Sequence, residues 1–234
     1  MYRAILWKEF KLFIASYTLT FAINFSLYGV FLGMVILSAK GLQVMSLSKE
    51  LDTFLIFCTF SLVMSSMFLS MTGPMSIEEK SLGLLDNMLA YIGSARPIFI
   101  SKAVFLWAVA FMSFLFWSLV GLMASLLTSV RFVDRAFFTR DIVIALVLYP
   151  LLLFCLALIQ VFFNYVFPHI APLVRLLFFG IMFFVFSNLA HIAGKLMVAN
   201  ILMLGYICLF LGGVIALLFA LMGRLPSEIV LRSR

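Results

Sequence analysis

Charge is what this chain has least of. Asp, Glu, Lys and Arg together make 11% of its 234 residues, less than half the usual soluble share of about 25%. A water-soluble fold of this size has no way to hide a composition that is 66% hydrophobic, so lipid is the expected solvent for most of its surface. Histidine is almost missing: His169 and His191 stand alone, and no His-Glu-x-x-His arrangement of a zinc hydrolase exists. Cysteine is scarce too. Cys58, Cys155 and Cys208 each fall inside an apolar run, without metal spacing or a disulfide framework, and read as small packing residues. There is no Gly-x-x-x-x-Gly-Lys-Ser/Thr phosphate loop and no polar segment long enough to fold around its own core. The chain by itself is therefore not expected to be an enzyme, and no catalytic or metal-binding residues are assigned. The net charge of +7 comes from scattered cations rather than a cluster, which suits span ends and excludes a nucleic-acid surface.

What is abundant is apolar sequence, with 28 Phe residues among it. Continuous apolar windows predict six spans, at 16–39, 52–74, 103–129, 142–164, 173–193 and 200–223. Each has about the 20 residues that a helix needs to cross the hydrocarbon core. The runs lack the in–out alternation of a membrane barrel, so helices are expected. The expected fold is an all-α integral membrane protein, with residues 1–234 forming one transmembrane domain. The opening "MYRAILWKEFK" is charged and amphipathic, and the apolar sequence after it outruns the core of a secretory signal; it is expected to be retained. Ile5, Leu6, Phe10 and Phe13 can face lipid while Arg3, Lys8, Glu9 and Lys11 face water, as in an interfacial helix over residues 1–15.

Orientation follows from Lys and Arg. Arg3, Lys8, Lys11, Lys80, Arg96, Lys102, Arg175, Arg224, Arg232 and Arg234 fall on one side of the six-span layout. Lys40, Lys49, Arg131, Arg135, Arg140 and Lys195 fall on the other. Both termini, including a tail at 224–234, are thus expected in the cytoplasm, with the chain multi-pass in the cell membrane.

One polar segment breaks the pattern. "SIEEKSLGLLDNMLAYIGSARPIFISK" covers residues 76–102, between the span pair at 16–75 and the remaining spans within 103–223. It is far longer than two adjacent spans need for a connection. Read as a helix over 79–92, it gathers Leu82, Leu85, Met88, Leu89 and Ile92 on one face. Glu79, Gly83, Asp86, Asn87 and Ala90 gather on the other. Glu78 and Glu79 suit the dipole at its start, Gly93 and Ser94 supply a stop, and Pro97 forbids simple continuation. Small residues on the polar face would let another surface approach closely.

"WKEFKLF" at the front, with "EEKSLGLLDNMLAYIGSARPIFISK" after the second span, resembles the permease subunit of ABC-2 type transporters. That family begins with an interfacial elbow helix carrying a Lys-Glu-Phe-like motif, here Lys8, Glu9 and Phe10. Between its second and third spans it has a coupling helix. Glu79, Gly83, Leu85, Asp86, Leu89, Arg96 and Lys102 occupy the matching places beside Glu78, and Leu84 stands where the family has Thr. The motif covers about 35 residues, and the second half of the chain matches only in layout. "SNLAHIAGKLMVAN" is brief for the family's outer re-entrant helices.

The resemblance implies a half-transporter. A second permease copy or a homologue would complete the pathway, and two cytoplasmic ATPase subunits would bind ATP and Mg2+ and drive export. The permease itself would hold no cofactor. Asn24 and Gln160 are candidate pathway-lining residues; otherwise these, with Asn164 and Asn188, bond neighbouring helices. The spans hold no deep Asp, Glu, Lys or Arg, so an energy source outside the chain and an amphipathic cargo (peptide, lipid or drug-like) are expected. A membrane scaffold or immunity subunit is the alternative. An intramembrane hydrolase ranks below it, since the Glu78–Glu79 pair lacks the further His and Asn residues that such enzymes use. Pro150 is expected to kink the fourth span. Gly29 and Gly33 form a small-x-x-x-small pair suited to close helix contact, with a dimer seam as one use.

Overall fold

The computed structural model describes residues 3–14, Ala22, Ser26, Gly29, Val30, Gly33, and residues 53–71, 84–127, 144–188 and 201–224. Among these every regular element is helical. Helix α1 spans residues 3–14, α2 spans Thr53–Met71 and α3 spans Leu84–Ile92. Helix α4 spans Arg96–Leu127, α5 spans Tyr149–Val166, α6 spans Ala171–Ser187 and α7 spans Ile201–Arg224. Among the described residues three helical stretches are long and apolar enough to cross a membrane: Arg96–Val120, Ile144–Val166 and Met203–Met222. A shorter apolar helix covers Cys58–Leu69. The expected boundaries at 142–164 fall within two residues of Ile144–Val166, and those at 200–223 within one residue of the whole helix Ile201–Arg224.

The third span differs. Its helix begins at Arg96 rather than at residue 103, so Arg96 to Lys102 are its first turns and not a polar connector. The cause lies in the sequence just before it. Gly93 adopts φ 75°, the left-handed conformation that ends helices, and its N–H donates to Leu89 O at 2.8 Å. Two residues on, Ala95 O accepts from Phe99 N at 3.0 Å and opens the next helix. Pro97 then sits in the first turn, where its missing N–H is no loss. Any L side chain at Gly93 is strained by that φ. Gly93→Val should therefore cost about 1–2 kcal/mol, read as a lower melting temperature of the detergent-solubilised protein, with Gly93→Asn losing less.

Regular α-helical pairing gives way just before Pro150. Ile144–Leu148 forms one π-helical turn directly before α5. Proline removes the donor that the carbonyl four residues earlier would use, and π pairing reaches one residue further along. The carbonyl of Pro150 itself accepts from Trp107 Nε1 at 3.0 Å, tying α5 to α4.

Helix α5 sits at the centre. It packs against α4 and α7 and also meets α2, while α2 packs chiefly on α4 and then on α6. Phe99, Phe114, Leu153, Leu158, Val161 and Tyr165 are essentially fully buried in the shared core. Between helices in lipid, close packing and interhelical hydrogen bonds replace the hydrophobic driving force. Thr59 Oγ1 and Tyr149 Oη lie 2.6 Å apart, a buried bond between α2 and α5. Tyr149→Phe should lower stability by about 1 kcal/mol, checked by thermal unfolding in detergent.

The expected packing role of the cysteines agrees with their placement: Cys58 and Cys155 are buried, Cys208 is half-buried, and none of the three forms a disulfide. Asn188 donates to Phe184 O, one turn earlier in the chain, at 2.9 Å. Gly29 packs within the subunit, since a Cβ there would meet the Trp117 ring at 3.6 Å; Gly33 faces open space. His169 is exposed between α5 and α6, at a span end as expected.

Candidate functional site

Helices α1, α3 and the start of α4 come together at one place, and the sequence marks each by a different signal. For α3 the signal is amphipathicity. Leu89 is buried and Met88 and Ile92 pack against the core, while Asn87, Ala90 and Tyr91 are exposed. The expected apolar stripe thus faces inward over the described part of the helix. Helix α1 crosses close by, and Lys8 Nζ approaches Met88 Sδ at 3.3 Å. Between α1 and α3 opens a groove of about 640 Å³ lined by Ala4, Ile5, Lys8, Asn87, Met88, Tyr91 and Ile92. Its floor is apolar, and an ammonium, an amide and a phenol stand among its walls.

Helix α1 is rotated relative to the expected interfacial arrangement. Ile5 and Glu9 are buried, Leu6 and Phe13 pack against the core, and Phe10 points outward with Trp7 and Ile14. The reason is electrostatic. Glu9 Oε1 lies 2.8 Å from Lys102 Nζ, with both side chains no more than 5% exposed. The Lys102 ammonium also stands 5.6 Å from the centre of the Tyr165 ring, within cation–π range. Tyr165 in turn packs on Phe99, ring centres 5.1 Å apart. Lys102 lies six residues into α4, about 9 Å along its axis, so the expectation of spans without internal charge does not hold there. A carboxylate is drawn inward because a buried ammonium demands a partner.

The outward face of α1 mixes cations with rings. Trp7 and Phe10 stack at 5.8 Å, and Lys11 Nζ stands 5.4 Å from the Trp7 ring centre.

The site residues expected from sequence are thus partly brought together. Lys8, Glu9, Leu89 and Lys102 converge on this end of the bundle, with Glu9, Leu89 and Lys102 buried rather than presented outward. Phe10 is exposed on α1 and Arg96 is exposed at the start of α4. Leu85 and Asp86 lie in the α3 backbone. Glu78, Glu79, Gly83, Asn24 and His191 lie outside the described residues. Gln160 stands apart from the groove, 5% exposed on the inner face of α5, one turn from Asn164 at 1%. Gln160 Nε2 and Asn164 Nδ2 are buried without a protein acceptor.

Two residues of the site escaped sequence reasoning. Tyr165 looked like one more aromatic in a Phe-rich span, and Tyr91, 92% exposed, fell on neither face of the expected helix; its rim position needed the α1 partner to become visible. Among the described residues no group of three His, Cys, Asp or Glu gathers as a metal site. Compared with family models, with curated proteins and with solved structures, the chain matches none. Among the described residues the fold is all-helical, with three helices able to cross a membrane.

Proposed function

We propose that this chain is the membrane-spanning subunit of an ATP-driven ABC exporter, paired with a second permease copy and moved by separate cytoplasmic ATPase subunits. The observation that carries the reading is the α1–α3 groove beside the short amphipathic helix α3. Helix α3 keeps its apolar residues on the bundle and leaves Asn87, Ala90 and Tyr91 outward, and Gly93–Ala95 connect it tightly to a long apolar helix. A partner seated on that outward face would push directly on α4. This supports a coupling role, together with the family resemblance of "EEKSLGLLDNMLAYIGSARPIFISK". In this reading both termini and α3 face the cytoplasm, and the chain contributes no nucleotide chemistry of its own. Closure of the ATPase pair shifts the spans only to the extent that it contacts one of their arrangements better than the other.

The test is co-purification. Solubilised under mild detergent, the chain should retain an ABC ATPase, and Gly83→Trp should release it while the permease still folds. An unchanged complex with unchanged ATP turnover would overturn the coupling role.

A further inference from the structure

The ion pair between Glu9 and Lys102 joins α1 and α4, two helices far apart in the sequence. We infer that Glu9 and Lys102 are positioning residues: an internal latch that fixes α1 against α3, α4 and α5, and so builds the composite face along the groove. The inference rests on the proposed coupling only for the use made of that face; the latch itself stands on geometry.

Three observations meet here. The pair is short, 2.8 Å, and both side chains are shut away from solvent. The ammonium has a ring beside it at 5.6 Å in Tyr165, whose own position is set by Phe99 at 5.1 Å. On the adjoining face of α1, about 100° round from Glu9, Lys8 reaches Met88 of α3. Helix α1 is therefore held from two directions, by a buried charge pair toward α4 and α5 and by a groove contact toward α3. Its rotation follows. With Glu9 inward, Trp7 and Lys11 must face outward on a 100° per residue helix, as they do. A charge in contact with an external partner would have to be reachable, and neither of these is.

A buried pair has a distinctive response to substitution. Removing one member strands the other charge in an apolar site, whereas removing both relieves the desolvation cost and is close to neutral. The experiment uses the full chain in detergent, as wild type, Glu9→Gln, Lys102→Met and the double variant. Each single change should lower the melting temperature by about 10 °C. The double should return to within about 3 °C of wild type, a strong non-additivity for sites in contact. Hydrogen exchange over residues 3–14 should rise in the singles and recover in the double. Retention of the ATPase should follow the same cycle.

Additive losses, with the double variant the least stable, would overturn the latch. So would ATPase binding that stays as poor in the double as in the worse single, because that marks direct contact with the partner. If a single variant does not accumulate, accumulation of the double supports the latch and its failure overturns it. Recovery of stability and exchange in the double variant, when even the wild type retains no ATPase, supports the latch and rejects the coupling reading alone.

Discussion

Phe99→Ala should destabilise the protein by about 3–5 kcal/mol, the usual cost of deleting a buried aromatic ring. Phe99 is fully buried at the second residue past Pro97, and its ring packs on Tyr165 at 5.1 Å. Removing it opens a cavity beside the aromatic that stands against the Lys102 ammonium, so packing and the placement of the charge pair suffer together. Phe99→Leu keeps most of the volume and should cost about 1.5 kcal/mol or less. The control is Tyr91→Ala on the nearby rim: at 92% exposure it should change stability by no more than about 0.5 kcal/mol. Thermal unfolding of the three variants in one detergent separates these outcomes. Equal effects at positions 99 and 91 would mean that the start of α4 is not packed as described.

The second large effect is functional and falls where stability does not. Ala90 is exposed on α3, with Asn87 one turn before it and Tyr91 beside it. A Trp there has room in the isolated subunit, so the fold should change by no more than about 0.5 kcal/mol. Against a docked partner the same ring has nowhere to go. Disturbing the centre of an interface costs about 2–4 kcal/mol, which corresponds to roughly 30- to 1000-fold in affinity. Ala90→Trp should thus free the ATPase subunit and abolish transport-coupled ATP turnover while leaving the melting temperature in place. Ala90→Ser, which adds a single oxygen, should bind as wild type does. Gly83→Trp, earlier in the same polar segment of the sequence, belongs to the same experiment.

Local patterns in the sequence carried a good part of this architecture. Long apolar runs predicted helices, and the helical stretches Ile144–Val166 and Ile201–Arg224 begin and end close to where hydropathy places them. The stripe of Met88, Leu89 and Ile92 predicted which side of α3 is buried, and Gly93 predicted its end. All of these signals are short-range: a 3.6-residue period, a glycine, a proline. What the sequence hid was long-range. A helix with Arg3, Lys8, Glu9 and Lys11 among apolar residues can be rotated in more than one way. Hydropathy turns every charge to water unless a buried partner is known. That partner, Lys102, lies far along the chain in another helix, and its own position looked like a solvated boundary because the helix start was placed after it. The tight Gly93–Ala95 connection moved that start to Arg96 and carried Lys102 inside. The π turn at Ile144–Leu148 was likewise invisible, since proline marks where regular pairing must yield but not how the neighbouring carbonyls respond.

In the proposed function the outward face of α3 is cytoplasmic and covered by a nucleotide-hydrolysing partner. The direct measurement is site-specific photo-cross-linking in intact cells from position 91, whose side chain is exposed at the rim of the groove. The predicted result is a cross-link to an ABC ATPase that disappears in the Ala90→Trp background, with a cysteine at position 91 closed to impermeant reagents added outside the cell. Labelling of that cysteine from outside, or cross-links that never include an ATPase, would contradict it.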